Sequence, residues 1–155
     1  MRAVLALALI LSSGLAVRAA ETGTLIDGSD IDAVVEIARN YGSATIAATA
    51  GGAPKISARI GGVTYAVYFQ NCNEPRQCDD INLYAGFLGA AVTPERMNGW
   101  NASKRFGRAY IDPDGDAALE MDINLKNGVS PANLSASFAI WRLMLTQFTE
   151  FLGIE

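Results

Sequence analysis

Residues 55–70 read KISARIGGVTYAVYFQ, and that stretch decides the fold. Ile56, Ala58 and Ile60 share one parity before Gly61-Gly62. After the glycines, Val63, Tyr65, Val67 and Phe69 alternate with Thr64, Ala66, Tyr68 and Gln70. Period-two alternation marks a half-buried strand, and a two-glycine break between two such runs marks a hairpin turn. Upstream, the small and β-branched run Ala44 to Ala50 adds a strand that breaks at Gly51-Gly52. Downstream, beyond a cysteine-bounded segment, Ile81, Leu83, Ala85 and Phe87 alternate with Asn82, Tyr84 and Gly86. The pattern predicts an antiparallel meander with one apolar face.

Helical periods flank these strands. Ser29 is placed to cap a helix over Asp30 to Tyr41, with Ile31, Val34, Val35, Ala38 and Tyr41 on one face and Gly42 as its C-terminal cap. Thr93-Pro94-Glu95 opens a second helix that carries Met97 and Trp100 and runs to about Lys104. Arg108 to Asp112 reads as a strand, Pro113-Asp114-Gly115 as a turn, and Ala118 to Lys126 as a further strand. In that last strand Leu119, Met121, Ile123 and Leu125 point one way, and Glu120, Asp122, Asn124 and Lys126 the other. Ser130-Pro131 then opens a long helix with a stripe of Leu134, Phe138, Trp141, Leu145, Phe148 and Leu152. Ile140, Leu143, Met144 and Phe151 widen the stripe beyond a simple seam. Such a helix must cover the sheet, and its surplus apolar surface predicts a homodimer through the C-terminal helix. The expected class is α+β, with helices packed on one face of the sheet in the order α-βββ(β)-α-ββ-α.

The N-terminus reads as a signal peptide over residues 1–19. Met1-Arg2 precedes the apolar run Ala3 to Leu11, and Val17-Arg18-Ala19 supplies the small-x-small cleavage pattern, with Ala20 as the alternative end. The run is too short to span a bilayer, so no integral membrane segment is expected after cleavage. A flexible segment, 20–28, and one domain, 29–155, follow. This predicts a periplasmic or secreted protein. The whole chain has 16 acidic and 12 basic residues, a net charge of -4; losing Arg2 and Arg18 takes it to -6. That balance argues against nucleic acid, which needs a basic surface. In an oxidising space Cys72 and Cys78 are expected to form a disulfide that staples a short polar loop, worth about 2 kcal/mol.

The chain has no histidine. A Ser-His-Asp or Cys-His unit, or a zinc site built on imidazole, cannot form within it. The carboxylate pairs Asp79-Asp80, Asp112-Asp116 and Glu120-Asp122 sit in no recognisable cleft pattern, so no enzyme, cofactor or metal is expected. The turn Asp112-Pro113-Asp114-Gly115-Asp116 places oxygens at alternate positions, as calcium loops do, but its glycine comes too early and strands flank it. A solvated hairpin turn is the plainer reading. A small-ligand or metal-sensing domain using Asp112 to Asp116 is the alternative function. Arg96, Lys104, Arg105 and Arg108 make a basic cluster suited to an anion or acidic peptide, or simply to a helix end and a cross-strand pair. Tyr68 and Tyr84 share the polar parity of neighbouring strands with Gln70 and Asn82, near Tyr110. They predict a platform for a polypeptide partner, since tyrosine is favoured at interfaces.

Several short motifs resemble the YbjN family: Tyr65 to Cys72 (YAVYFQNC), Cys78, Asn98-Gly99-Trp100-Asn101, Lys104 to Tyr110 (KRFGRAY), Leu119-Glu120-Met121-Asp122, and Trp141. The W-N-x-x-K-R-F-x-R-A-Y block is the most specific of these. The resemblance implies a fold similar to type III secretion chaperones, which commonly dimerise and bind extended segments of other proteins. It implies no enzyme, and some members are described as regulators of sensory transduction. The signal peptide and cysteine pair depart from cytosolic members and set this chain apart from cytoplasmic signalling. Together these readings predict a non-catalytic, exported protein- or peptide-binding domain, chaperone-like or regulatory. Its candidate contacts are Tyr68, Tyr84, Trp100, Asn101, Arg105, Arg108 and Tyr110.

Overall fold

The glycine hairpin forms as the alternation dictates. In the computed structural model, which describes residues 23–74 and 76–154, β2 (Pro54–Ile60) and β3 (Val63–Glu74) pair antiparallel with Ile60 opposite Val63. Gly61 and Gly62 both take positive φ, the geometry that matches the twist of a tight hairpin. β1 (Ser43–Ala48) pairs on the far side of β2, and β4 (Gln77–Phe87) pairs with β3. β5 (Arg108–Ile111) and β6 (Ala117–Asn124) complete a six-stranded antiparallel sheet in the order β1-β2-β3-β4-β6-β5. The meander therefore holds through β4. β6 then inserts beside β4 and leaves β5 as an edge.

Three helices cover the apolar parity: α1 (Ile31–Arg39), α2 (Pro94–Ser103) and α3 (Pro131–Leu152). Leu134, Phe138, Trp141, Met144, Leu145 and Phe148 of α3 are buried, in one cluster with Val67, Leu83, Leu119 and Met121 of the sheet. The Phe148 ring meets Phe87, Trp100 and Phe151 with centroids 4.9–5.8 Å apart. Thr93 and Ser130 cap α2 and α3 as expected, each hydroxyl accepting from the backbone three residues on. No helix among the described residues is long and apolar enough to cross a membrane.

Four local expectations are corrected. Ser29 does not cap α1: its N–H and hydroxyl both donate to Asp27, and Asp30 holds the cap position. Gly42 is no helix cap either, because the C-cap is Asn40. Gly42 instead lies where a Cβ would fall 1.9 Å from the Arg59 carbonyl oxygen, so close backbone approach demands the glycine. The described part of segment 20–28 is tied down, with Ile26 buried and exchanging two backbone bonds of 2.9 Å with Val129. Cys72 and Cys78 are bonded as expected, but the short polar segment they staple is the end of the β3–β4 hairpin, whose ladder continues to Glu74 and Gln77, rather than an open loop. The signal-peptide reading, with both cleavage positions, lies outside the described residues.

Candidate partner-binding face

The polar parity of the strands forms the second face of the sheet, and none of the three described helices covers it. Register fixes its rows. Thr45, Ser57, Ala66, Tyr84, Glu120 and Arg108 line up across all six strands, and Ala47, Lys55, Tyr68, Asn82 and Asp122 form the next row. Tyr68 and Tyr84 sit diagonally, ring centroids 6.3 Å apart and edge to face. The Tyr84 hydroxyl donates to Asp112 at 3.4 Å, which ties the ring to the β5–β6 turn. Burial, then the negative charge of Asp112, pushes the Tyr84 hydroxyl pKa up.

Between these groups lies a depression of about 440 Å³. Tyr68, Tyr84, Lys55, Ala66 and Gly86 line it, together with Asp112, Asp114 and Asp116 of the turn. Leu88, 89% exposed, stands beside it. The expected tyrosine platform and the acidic turn thus meet in one place. The turn itself is internally satisfied on one side: Asp112 Oδ1 accepts from the Asp114 and Asp116 amides, and Asp116 Oδ1 accepts from the Gly89 amide. Asp-rich turns take this Asx geometry without a metal. Among the described residues no group of three or more acidic or cysteine side chains is arranged to hold a metal ion.

At the β5 end, Glu120 is the hub. It is 6% exposed, pairs with Arg108, and accepts from the Tyr110 hydroxyl at 3.1 Å. The Arg108 guanidinium also lies 5.6 Å from the Tyr110 ring centroid. Burial first, then the Glu120 charge, pushes the Tyr110 hydroxyl up to about 12. The cross-strand pairing foreseen for Arg108 is therefore present, with a carboxylate that is buried rather than solvated. Farther along the face Asn82 donates to Asp122 at 2.8 Å, and Asn71 and Asn124 both donate to Asp80.

Trp100 and Asn101 do not belong to this face. Trp100 is 2% exposed, packed on Phe148 and Phe151, and so is corrected from a contact to a core residue. Asn101 is committed to the backbone: its Nδ2 donates to the Ala109 carbonyl at 2.9 Å, and its Oδ1 accepts from the Ala109 N–H at 2.8 Å. Nothing in the sequence signals that role, since an asparagine near a helix end is ordinary. The four cations of the basic cluster each take their own partner: Arg96 lies over Phe151, Lys104 over Trp100, Arg105 over Phe106, and Arg108 on Glu120. Tyr68, Tyr84, Arg108 and Tyr110 remain together on the open face, and Arg105 stands apart beside the exposed Phe106.

The family model for YbjN, described as "Putative bacterial sensory transduction regulator", matches residues 30–153. The chain belongs to the YbjN family. No curated protein matches its sequence. The YbjN match starts at the cap of α1 and ends at Gly153, the left-handed residue that closes α3, so it spans the whole sheet and all three helices. The W-N-x-x-K-R-F-x-R-A-Y block of this YbjN chain is mostly architecture. It carries the Trp100 core, the Asn101 clamp and the Arg108–Glu120–Tyr110 cluster that joins β5 to β6.

Proposed function

We propose that this protein is a non-catalytic, exported binding module of the regulatory or chaperone-like kind, and that its open sheet face receives a polypeptide segment. The observation that carries the reading is the uncovered depression of about 440 Å³ lined by Tyr68 and Tyr84. Two aromatic side chains, an exposed Leu88 and an acidic turn suit an extended segment with apolar and basic side chains. The family description, a regulator of sensory transduction, supports a regulatory or binding role. Export to the periplasm or beyond is supported by the apolar run Ala3 to Leu11 and by the Cys72–Cys78 bond.

Capture of a partner from periplasmic extract, with wild type beside a Tyr68→Ser/Tyr84→Ser double variant of unchanged melting temperature, tests the site. The expected result is a stoichiometric polypeptide held by the wild type and lost from the variant. Capture that survives the double change unaltered removes the open face from consideration. N-terminal sequencing of the exported form checks the export reading, with Ala20 or Glu21 expected as the first residue.

A further inference from the structure

The geometry points to a second interaction surface, the free edge of β1, and to its occupant: the same edge of a second copy of this chain, paired antiparallel about Ile46. This surface is independent of the open face. Thr49 donates to the Ala53 carbonyl at 2.8 Å, which fixes the alternation along β1. Ser43, Thr45 and Ala47 turn their backbone groups toward β2, and Ala44, Ile46 and Ala48 turn theirs outward. Pro54, which has no N–H, stands opposite the outward-turned Ala48, as that alternation allows. Among the described residues β1 has no strand on its outer side. Among the described residues only the Ala44 carbonyl has a partner there, the Arg39 Nε at 3.1 Å.

Three observations favour a second copy over any other strand. First, SATIAAT (Ser43 to Thr49) reads nearly the same in both directions about Ile46: Ser43 would face Thr49, Ala44 would face Ala48, and Thr45 would face Ala47. Small side chains thus face small ones on both sides of the axis, a surface that fits its own copy as a two-fold interface must. Second, residues 40–54 contain no charged side chain, in a protein that is otherwise net acidic; of the cations that reach this edge, Arg39 is paired with Glu36 and Arg76 lies beside Ala47 and Ala48. Unprotected edges normally carry a lysine, a proline or a bulge that blocks pairing, and β1 has none on its outward positions. Third, Ile46 belongs to the helix-side row of Ile56, Val67, Leu83 and Met121, all buried, yet Ile46 is 44% exposed. The apolar row runs out of cover at the edge, and the Ile46 of a second copy would continue it. Ile46 and its copy would exchange both backbone bonds, Ala44 N–H would donate to the facing Ala48 carbonyl, and the Ala48 N–H would donate to the second lone pair of the Ala44 carbonyl, which also accepts from Arg39.

Sedimentation velocity of the purified protein from dilute to concentrated solution tests the pairing, with hydrogen exchange measured at both ends of the range. The expected result is a concentration-dependent species of twice the mass of one chain, with the Ile46 and Ala48 amides protected only when it forms. Ile46→Lys, which sets two cations together on the two-fold, should raise the dissociation constant roughly tenfold or more. Ala48→Pro removes an outward N–H that the fold itself does not use, and should weaken pairing with the melting temperature kept. Leu143→Lys, on the outer face of α3, should leave the dimer intact. A monomer at every concentration overturns the proposal. So does a dimer that yields to Leu143→Lys and not to Ile46→Lys, or edge amides whose exchange ignores concentration.

Discussion

The two edges of the sheet are finished in opposite ways. β5 is four residues long, and its second residue, Ala109, has both backbone groups taken by the Asn101 side chain, which stands in for the missing strand. α2 holds that amide in place through Trp100, buried against α3. β1 is six residues long, uncharged, and among the described residues bonded on its outer side only by Arg39. An edge whose donors and acceptors are met internally adds to folding and refuses partners, whereas an unmet edge stays available for pairing. The same sheet thus keeps stability at one margin and association at the other.

The largest expected effect comes from pulling the closed edge apart. Trp100→Ala empties a core site shared with Phe148 and Phe151 and should lower unfolding stability by about 3–5 kcal/mol in urea titration. In native exchange the amides of 108–111 should then open well before those of β2 and β3. If all strands lose protection together, α2 is not what closes the β5 edge. Breaking the bond between Cys72 and Cys78 with paired serines serves as the control. It lies at the tip of the β3–β4 hairpin, away from either edge, and should cost about 2 kcal/mol without changing the exchange pattern of β1 or β5.

The fold was legible where one face of an element is buried. Alternation in 55–70 and 118–126 fixed the parity of the large core residues there, because a one-residue slip would have put Val67 or Leu119 in water. The α3 stripe was legible for the same reason. Long-range insertion of β6 between β4 and β5 was not, since nothing local in Ala118–Lys126 names its neighbour. At the candidate site the outward parity of Tyr68 and Tyr84 was readable, but their meeting with Asp112 depends on that insertion. Gly42 looked like a helix cap because glycine serves both left-handed backbone and close approach, and sequence alone does not separate the two.

A smaller effect separates clamp from packing at the closed edge. Asn101→Ala leaves Trp100 buried but strips the donor and the acceptor from Ala109, two neutral bonds worth about 1–2 kcal/mol together. Asn101→Asp keeps the acceptor for the Ala109 N–H and sets a negative charge against its carbonyl, so it should be no better than alanine. The sharper readout is association: with β5 unclamped, the alanine variant should self-associate in a way that Ile46→Lys does not reverse. Unchanged solubility and sedimentation for Asn101→Ala would mean that shortness alone protects this edge.

The smallest effect distinguishes the margins by pH. Burial first, then the charge of Glu120 and the bond to it, push the Tyr110 hydroxyl on β5 up to about 12 from its ordinary 10.0. The fold therefore favours the neutral phenol. Below pH 10 both folded and unfolded chains hold the proton and the contribution is complete. As pH rises from 10 toward 12 the unfolded chain releases its proton first, so stability falls across that window. Tyr65 and Tyr84 are also shifted upward and add to the same slope, so Tyr110→Phe should flatten the alkaline loss only in part. The β5 amides should lose protection in this window through Tyr110. β1 has no titratable side chain between Ser43 and Ala48, so its own ladder carries no local proton linkage. Urea titrations at pH 9 and pH 11, run on the wild type and Tyr110→Phe, measure the difference directly. An equal alkaline loss in both proteins would detach the Tyr110–Glu120 bond from the stability of the closed edge.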